Sequence, residues 1–296
     1  MQGFLLLNKP SGITSFGAVA KCKHLTGEKR IGHTGTLDPM ATGVLPVFIG
    51  RATALSSYLL DAEKTYTATV KLGVSTDTLD ITGNVVATSD VNVTNEQIKD
   101  VLSGFMGKSM QVPPAFSAIK KDGVRMYKLA RNGEAPKLPE REIEIFDIKL
   151  ISPLSDNNEF SFSATVSKGT YIRSLARDIG EKLGCPATLS ALCRTSASGF
   201  PLDLCVNLDD LTEENIKTYL KDEEFAVKHL KAIDVTAKQA VRFSNGGRLD
   251  IDRLKISDYY DGQVFRVKCG DVFLGLGSID TSENQILINC VINGIK

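Results

Sequence analysis

The stretch of the chain richest in residues that could do chemistry is residues 30–43, which read RIGHTGTLDPMATG. Its one carboxylate is Asp38, which lies between the apolar Leu37 and the rigid Pro39. A residue before proline is disfavoured in the helical conformation, so Asp38 is predicted to be extended. The neighbouring glycines allow tight backbone paths around it. Asp38 is therefore either a pre-positioned reactive carboxylate or part of an ordinary Asp-Pro turn.

Several familiar chemistries do not fit this stretch. Glycosidic hydrolysis by paired carboxylates needs a second Asp or Glu, and residues 30–43 contain none. The sequence Gly32-His33-Thr34-Gly35 lacks the Gly-Lys-Ser/Thr of a phosphate-binding P-loop. No Gly-x-Ser-x-Gly elbow supports a Ser-His-Asp triad. Three scattered histidines and six cysteines without Cys-x-x-Cys spacing give no reason to expect a metal site.

The elements that must position Asp38 follow from apolar runs, alternation and capping residues. Strands are predicted for residues 3–7, 44–49, 65–72, 142–151 and 160–166. Helices are predicted from a Thr14 or Ser15 cap to Gly27, at residues 52–60, from a Thr94–Gln97 capping box to about Gly104, and from Ile172 to Gly184. Residues 30–43 are predicted to be a long ordered loop. Because no regular β-α-β alternation appears, the pattern favours an α+β fold with an antiparallel or mixed sheet.

Two changes in composition occur late in the chain. Residues 207–234 have a net charge of −4 and are predicted to form a solvated helical face. From Val241 short strands with glycines predict a small separate β-domain, with strands near residues 264–267, 273–276 and 286–288. We therefore divide the chain into domains at residues 1–236 and 237–296.

Charge is distributed unevenly although 35 basic residues balance 35 acidic ones. Residues 1–60 carry six basic and two acidic side chains, a net charge of +4. This segregation is compatible with a polyanion-binding face. No signal peptide or membrane span is expected, and cysteines without obvious pairing favour a reducing, cytoplasmic compartment.

Ordered motifs give the chain a specific resemblance over residues 1–200. It resembles the TruB family of tRNA pseudouridine synthases. The matching blocks are residues 8–12 (NKPSG), 32–39 (GHTGTLDP), 43–46 (GVLP), 64–66 (KTY), 111–114 (QVPP) with 117–118 (SA), 169–175 (GTYIRSL) and 192–195 (LCRT). Beyond residue 241 the chain is loosely similar to a PUA-type RNA-binding domain, chiefly through residues 273–277 (FLGLG).

The resemblance implies an enzyme that isomerises uridine to pseudouridine in the T loop of tRNA, at position 55. It implies an α+β catalytic domain at residues 1–236, built on a mixed, mostly antiparallel sheet, and a small β-rich PUA-like domain at residues 237–296. The reaction involves no redox change or group transfer, so no cofactor and no metal are expected. The expected partner is the T-arm of tRNA. The resemblance further implies a cytoplasmic monomer with no membrane association and no obligate protein partner.

The resemblance also assigns three catalytic residues. Asp38 is the essential carboxylate, and three roles stay open for it: attack on the sugar, attack on the base, or removal of a sugar proton. Tyr66 stacks on the flipped base, where base–aromatic stacking contributes about 1–3 kcal/mol. Arg173 is the partner of Asp38. Without the motifs, Tyr66 would be interpreted as a core residue and Arg173 as a surface ion pair or a phosphate contact.

Further residues of the pocket are assigned in the same way. Tyr66 is joined in substrate binding by Tyr171 and Leu192, which wall the uracil pocket, and by His33, which fills the gap left in the RNA loop. Lys9 is a structural support near the loop. Taken alone, Leu192 would be interpreted as core and His33 as structural.

Two rival functions stay open at this level. One is an RNA chaperone that flips and refolds tRNA without using Asp38. The other is a guide-dependent enzyme resembling dyskerin, which works only with protein partners. An intact set of Asp38, Tyr66 and Arg173 argues against the chaperone.

Overall fold

The structure is a computed structural model that describes residues 1–59, 63–115 and 138–295, with the backbone of residues 120–121 and 124–125. Two residues of the resemblance, Ser117 and Ala118, lie outside the described residues. Within these ranges the strands are β1 (Gly3–Lys9), β2 (Ile31–His33), β3 (Thr42–Ile49), β4 (Lys64–Leu72), β5 (Val74–Thr76), β6 (Val85–Thr88), β7 (Gly107–Gln111), β8 (Lys120–Lys121), β9 (Val124–Arg125), β10 (Arg141–Ser152), β11 (Glu159–Val166), β12 (Ala187–Ala197), β13 (Phe200–Pro201), β14 (Val206–Asn207), β15 (Ala232–Asp234), β16 (Leu249–Asp250), β17 (Val264–Cys269), β18 (Val272–Asp280) and β19 (Gln285–Val291).

Helices connect and cover these strands. The α-helices are α1 (Ser15–Thr26), α2 (Asn95–Ser103), α3 (Ile172–Leu183), α4 (Ile216–Tyr219) and α5 (Ala237–Ser244). Short 3-10 helices span Gly50–Tyr58, Leu202–Leu204, Leu208–Asp210, Glu223–Val227 and Ile251–Arg253. No helix among the described residues combines the length and apolar character that crossing a membrane requires.

A ten-stranded mixed sheet forms the larger part of the fold. Its order is β14-β1-β3-β12-β4-β11-β10-β7, with β13 paired to β12 and β2 paired to β3. Most pairs are antiparallel, whereas β1–β14 and β12–β3 are parallel. Alternation along β4 buries Tyr66, Ala68, Val70 and Leu72 on one face. The predicted α+β class with a mostly antiparallel sheet is confirmed.

Local capping residues fix the helix ends as predicted. The Thr14 hydroxyl accepts a hydrogen bond from the Gly17 amide at 2.9 Å and begins α1. Thr94 and Gln97 form the capping box of α2. Gly184 ends α3 in the left-handed conformation, at φ 76°, which glycine adopts without a Cβ clash.

Two predictions about elements require correction, and a third is refined. The helix predicted at residues 52–60 is present as the 3-10 helix Gly50–Tyr58, and Leu60 lies outside the described residues. The loop at residues 30–43 contains the short strand β2, which pairs with β3. The acidic residues 207–234 form the four-residue helix α4, short 3-10 helices and the strand β15, not a continuous solvated helical face. The reason is that apolar residues of this segment are buried at irregular spacing, namely Leu208, Leu211, Ile216, Ala226 and Val227.

A second, five-stranded sheet has the order β15-β17-β18-β19-β16 and packs against α5. The three predicted late strands correspond to β17, β18 and β19. Strand β15 precedes residue 237, so this sheet recruits residues from before the predicted domain boundary. Phe273, Leu276 and Ile292 share an apolar cluster with Phe4 and Phe48 of the first sheet. The two sheets therefore pack on each other through a continuous apolar contact.

Candidate active site

One cavity of about 110 Å³ is lined by four parts of the chain that are distant in sequence. They are residues 36–38, strand β4, residues 170–173 and strand β12. Five of the seven predicted site residues are among its walls: Asp38, Tyr66, Tyr171, Arg173 and Leu192. Thr36, Leu37, Thr170 and Ile172 complete the lining. His33 and Lys9 do not line it. The structure thus brings together the residues that the sequence assigned to the carboxylate, its partner and the uracil pocket.

The central strands of the main sheet explain why Tyr66 and Leu192 face the same cavity. Tyr66 on β4 lies opposite Arg194 on β12, and Leu192 lies opposite Ala68. Residues two apart on a strand point to the same face, so Tyr66 and Ala68 share a face with Leu192. Helix α3 begins directly after Tyr171 and carries Arg173 to the same place.

Asp38 and Arg173 form a two-point ion pair. The Nε atom of Arg173 is 2.9 Å from Oδ2 of Asp38, and its Nη2 donates to Oδ1 at 3.1 Å. The guanidinium is buried, and these two close contacts, one of them a hydrogen bond, fix the carboxylate in distance and in orientation. Burial raises the pKa of Asp38, and the charge of Arg173 opposes that rise. Arg173 is thus the main group that favours the ionised form of this carboxylate, with a smaller contribution from Lys9.

A second carboxylate, Asp80, contacts Arg173 and is not among the residues that the sequence motifs predicted. Its Oδ2 is 3.6 Å from Nη1 of Arg173, which also donates to the carbonyl of Thr78 at 3.0 Å. Asp80 is buried, and its Oδ1 accepts hydrogen bonds from the Thr78 hydroxyl at 2.9 Å and the Thr82 amide at 3.0 Å. Arg173 therefore lies between two carboxylates. The signal in the sequence was an Asp with a threonine two residues away on each side, Thr78 and Thr82, which indicates a turn but names no distant partner.

The backbone around Asp38 is held by Ser11 and Gly12, which precede α1, and by Ser15, the first residue of α1. The Ser15 hydroxyl donates to the Leu37 carbonyl at 3.1 Å and accepts from the Leu37 amide at 2.8 Å. The Ser11 hydroxyl donates to the Met40 carbonyl at 2.9 Å, and the Gly12 amide donates to the Pro39 carbonyl at 2.9 Å. Ser15 is thus not the helix cap, because its hydroxyl is hydrogen-bonded to the backbone of Leu37.

Lys9 contacts the loop that carries Asp38 and is fully buried. Its Nζ donates to the carbonyls of Pro10 and Ile13 at 2.8 Å and of Pro39 at 3.3 Å. Burial lowers the pKa of Lys9 to about 8, and the nearby charge of Asp38 works in the opposite direction. These contacts are those of a support that ties three carbonyls together; the role itself stays a prediction.

Arg194 on β12 also holds the loop that carries Asp38. Its buried guanidinium donates from Nη2 to the Gly35 carbonyl at 2.7 Å and from Nε to the Val44 carbonyl at 2.9 Å. Gly43 adopts φ 107°, and a Cβ built there would lie 2.2 Å from the Arg194 carbonyl oxygen. Only glycine fits this close approach. The sequence singled out Arg194 as part of a motif but gave it no role in holding the loop.

His33 lies on β2, half-buried, outside the cavity wall. Its Nδ1 is buried and makes no hydrogen bond to any described residue, and burial lowers the pKa of its side chain. A larger cavity of about 400 Å³ adjoins the first and shares Tyr66 and Tyr171 with it. Lys64 and Lys168 stand in its wall, so the combined space offers apolar rings together with positive charge.

This arrangement can accept a planar ring beside an ionised carboxylate. Two aromatic rings and Leu192 supply apolar contact, and Asp38 is the carboxylate that reaches the space. In the part of the chain that the structure describes, no three His, Cys, Asp or Glu side chains gather closely enough to hold a metal ion. The residues present suit nucleophilic or base chemistry by one carboxylate.

Comparisons with known proteins identify the family of the chain. The family described as TruB family pseudouridylate synthase (N terminal domain) matches residues 23–172, and the tRNA pseudouridylate synthase B C-terminal domain matches residues 173–236. Proteins named tRNA pseudouridine synthase B are similar to the chain. The one from Oceanobacillus iheyensis is 40% identical, covering 97% of this chain and 96% of its own. The one from Geobacter sulfurreducens is 41% identical, covering 97% and 99%.

Solved structures show the same architecture. A Cbf5-Nop10-Gar1 complex contains a chain that matches with a TM-score of 0.71 and 26% identity, covering 99% of this chain and 84% of that one. An H/ACA RNP bound to a substrate RNA containing 2'-deoxyuridine gives a TM-score of 0.71 at 25% identity, with the same coverage. Taken with the family match and the relatives at about 40% identity, these findings show that the chain belongs to the TruB family of pseudouridine synthases.

Proposed function

We propose that the protein isomerises uridine to pseudouridine in the T loop of tRNA, at position 55, with Asp38 as the essential carboxylate. The observation that carries this proposal is the two-point ion pair between Asp38 and Arg173 in a cavity walled by aromatic rings. The proposal is supported by the relatives, which are named for a tRNA pseudouridine synthase.

The chemistry fits a site with one reactive carboxylate. The bond from C1' of the ribose to N1 of uracil breaks, the base turns, and C1' bonds to C5. The proton leaves C5 and N1 gains one, so atoms balance without an oxidant or a co-reactant. The target base must first leave its stack, which costs a few kcal/mol. Tyr66 replaces the lost stacking, worth about 1–3 kcal/mol, while Tyr171 and Leu192 close the pocket.

The role of Asp38 has three open forms: attack on the sugar, attack on the base, or removal of a sugar proton. In each, the ionised carboxylate is the reacting form, and Arg173 favours it. We propose Lys9 as a support of the loop, and His33 as the residue that occupies the gap left in the RNA loop, since it lies outside the uracil cavity.

The proposed partner is the T-arm of tRNA. We further propose a monomer that acts in the cytoplasm without an obligate protein partner, a metal or a cofactor. The domain division at residues 1–236 and 237–296, with a PUA-like RNA-binding C-terminal domain, belongs to the same proposal.

A guide-dependent enzyme is the second candidate, because the solved structures similar to the chain include complexes of Cbf5 with partner proteins. Identity favours the first candidate: 40–41% to proteins named tRNA pseudouridine synthase B, against 25–26% to those complexes.

Tritium release from tRNA labelled at C5 of uridine tests the proposal. Because C5 loses its hydrogen when it bonds to C1', the purified protein should release tritium from free tRNA. A tRNA with cytidine in place of the target uridine is the control and should release none at that position. Binding without release would indicate a chaperone, and release only with guide RNA and partner proteins would indicate the guide-dependent enzyme.

A further inference from the structure

Helix α3 begins without a cap of its own, although its first turn carries two residues of the site. The N-cap residue is Tyr171, whose side chain makes no capping hydrogen bond. In a capping box the residue three positions later reaches back to the N-cap amide. Here that residue is Ser174, and its hydroxyl donates instead to the Val112 carbonyl at 2.8 Å. The Tyr171 amide must therefore find its partner elsewhere.

Gln111, the last residue of β7, supplies that partner from another element. Its Oε1 accepts from the Tyr171 amide at 2.8 Å, and its Nε2 donates to the Tyr171 carbonyl at 3.1 Å. The same carbonyl accepts the first helical hydrogen bond, from the Leu175 amide at 3.0 Å. Gln111 is only 2% exposed, so both ends of its amide are committed to one residue.

Gln97 performs the equivalent task within its own helix. Its Oε1 accepts from the Thr94 amide at 2.8 Å and so completes the capping box of α2. Gln111 thus accepts the hydrogen bond of the N-cap amide of α3, as Gln97 does for α2, but Gln111 lies on the strand β7 and not in the helix that it caps.

The ring of Tyr171 is contacted by a residue of the strand that pairs with β7. Arg141 on β10 lies directly opposite Gln111 in the sheet. Its guanidinium carbon is 5.6 Å from the centre of the Tyr171 ring, a cation–π contact. One cross-strand pair therefore contacts both the backbone and the ring of a residue that walls the uracil cavity.

We propose that Gln111 is a positioning residue for the isomerisation: its amide fixes the Tyr171 backbone and, through the first turn of α3, aims the Tyr171 ring and the Arg173 guanidinium at the cavity. The role rests on the proposed function. Glutamine suits it because one side chain must both accept and donate. Glutamate at this position keeps the hydrogen-bond acceptor but not the donor. Methionine keeps the approximate shape of the side chain and neither hydrogen bond.

Single-turnover kinetics with saturating tRNA test the role. Gln111→Met should lower the rate on the order of 10- to 100-fold, because small displacements of positioned groups are costly to the chemical step. The Kd for tRNA should stay within about twofold, since Gln111 is buried and the loss is one of orientation. The single-turnover rate of Gln111→Glu should be intermediate between the rates of wild type and Gln111→Met. Gln97→Met removes a comparable helix cap outside the site and should leave the rate unchanged.

A fluorine spectrum gives a readout that does not depend on activity. With 3-fluorotyrosine in the full chain, the Tyr171 resonance is identified by its loss in Tyr171→Phe. It should shift or broaden in Gln111→Met and stay in place in Gln97→Met. An unmoved resonance with an unchanged rate would overturn the proposal, as would weaker tRNA binding with an unchanged saturated rate. If Gln111→Met does not fold, Gln111→Glu decides by the same two measurements. If wild type forms no pseudouridine, the proposed function fails, while the spectra still decide whether Gln111 fixes Tyr171.

Discussion

At the scale of single residues, the proposed chemistry depends on the charge of one carboxylate, Asp38. Burial raises the pKa of Asp38, the neighbouring Asp80 raises it further, and Arg173 lowers it. A flipped base over Tyr66 would exclude more water and favour the protonated, inert form. Arginine suits the opposing role because its guanidinium stays charged and its fork holds a carboxylate at two points.

Removing that cation should harm the chemistry more than the binding. In Arg173→Ala the pKa of Asp38 rises further, so less of it is ionised at neutral pH and the single-turnover rate falls severely. The surviving activity should increase with pH as Asp38 ionises. Arg173→Lys restores charge without the fork and should rescue only in part. If Arg173→Ala instead weakened tRNA binding with an unchanged saturated rate, Arg173 would be a phosphate contact and the pairing would be wrong.

Removing Asp80 should move the pH profile in the opposite direction. Because its charge raises the pKa of Asp38, Asp80→Asn should shift the acid limb of the single-turnover profile to lower pH. The plateau rate should still fall on the order of tenfold, since Arg173 loses one of the groups that orient it. A profile that shifted to higher pH would contradict the assigned coupling.

Motifs were sufficient to find Asp38, Tyr66, Tyr171 and Arg173, because each stands inside a contiguous block of sequence. They were not sufficient for Asp80, whose neighbours along the chain indicate only a turn. Its contact with Arg173 depends on how distant segments meet, which no local pattern encodes.

At the scale of elements, the loop that carries Asp38 is held by a close approach to β12 at Gly43. Gly43→Ala places a Cβ against the Arg194 carbonyl and keeps an unfavourable positive φ. We expect a loss of about 1–2 kcal/mol from the backbone conformation and about 1–3 kcal/mol more from the clash. Gly12→Ala is the matched control, since Gly12 also has positive φ, at 87°, but nothing lies within 4 Å of its added Cβ.

Denaturant unfolding of the two variants measures the difference. Gly12→Ala should lose only the backbone part of the unfolding free energy. Equal losses in both variants would show that the approach of Arg194 does not constrain the loop.

Elements were predictable where their signal was local. The Thr94–Gln97 capping box, the stop at Gly184 and the alternation along β4 each depend on neighbours within a few residues. The prediction for the acidic residues 207–234 was wrong because their charge suggested a solvated helical face. The conformation of this segment depends instead on its apolar residues, which are buried against the two sheets.

At the scale of the whole molecule, zero net charge conceals a basic N-terminal region of +4 over residues 1–60. If that region contacts RNA phosphates, tRNA binding should weaken steeply with salt. The expected log–log slope is about −0.7 to −0.9 for each phosphate that is neutralised. A salt titration of tRNA affinity measures it, and a flat titration would contradict phosphate contacts.

The α+β class and the late β-domain could be predicted from the order of strands and helices along the chain. The strand order could not, because β3 pairs in parallel with β12 and β1 with β14 across long stretches of sequence. Such pairings are specified by how the sheets bury their apolar faces together, not by any one segment.

We propose that Asp38 carries the chemistry, and the variant Asp38→Asn decides whether it does. The amide keeps the shape of the side chain but removes the ionised oxygen. The measurement is the pseudouridine content of free tRNA at the target position, by mass spectrometry after chemical derivatisation, at enzyme concentrations that saturate the tRNA. We predict that Asp38→Asn binds tRNA nearly as well as wild type and forms no pseudouridine above background. Substantial pseudouridine formed by Asp38→Asn would contradict the account.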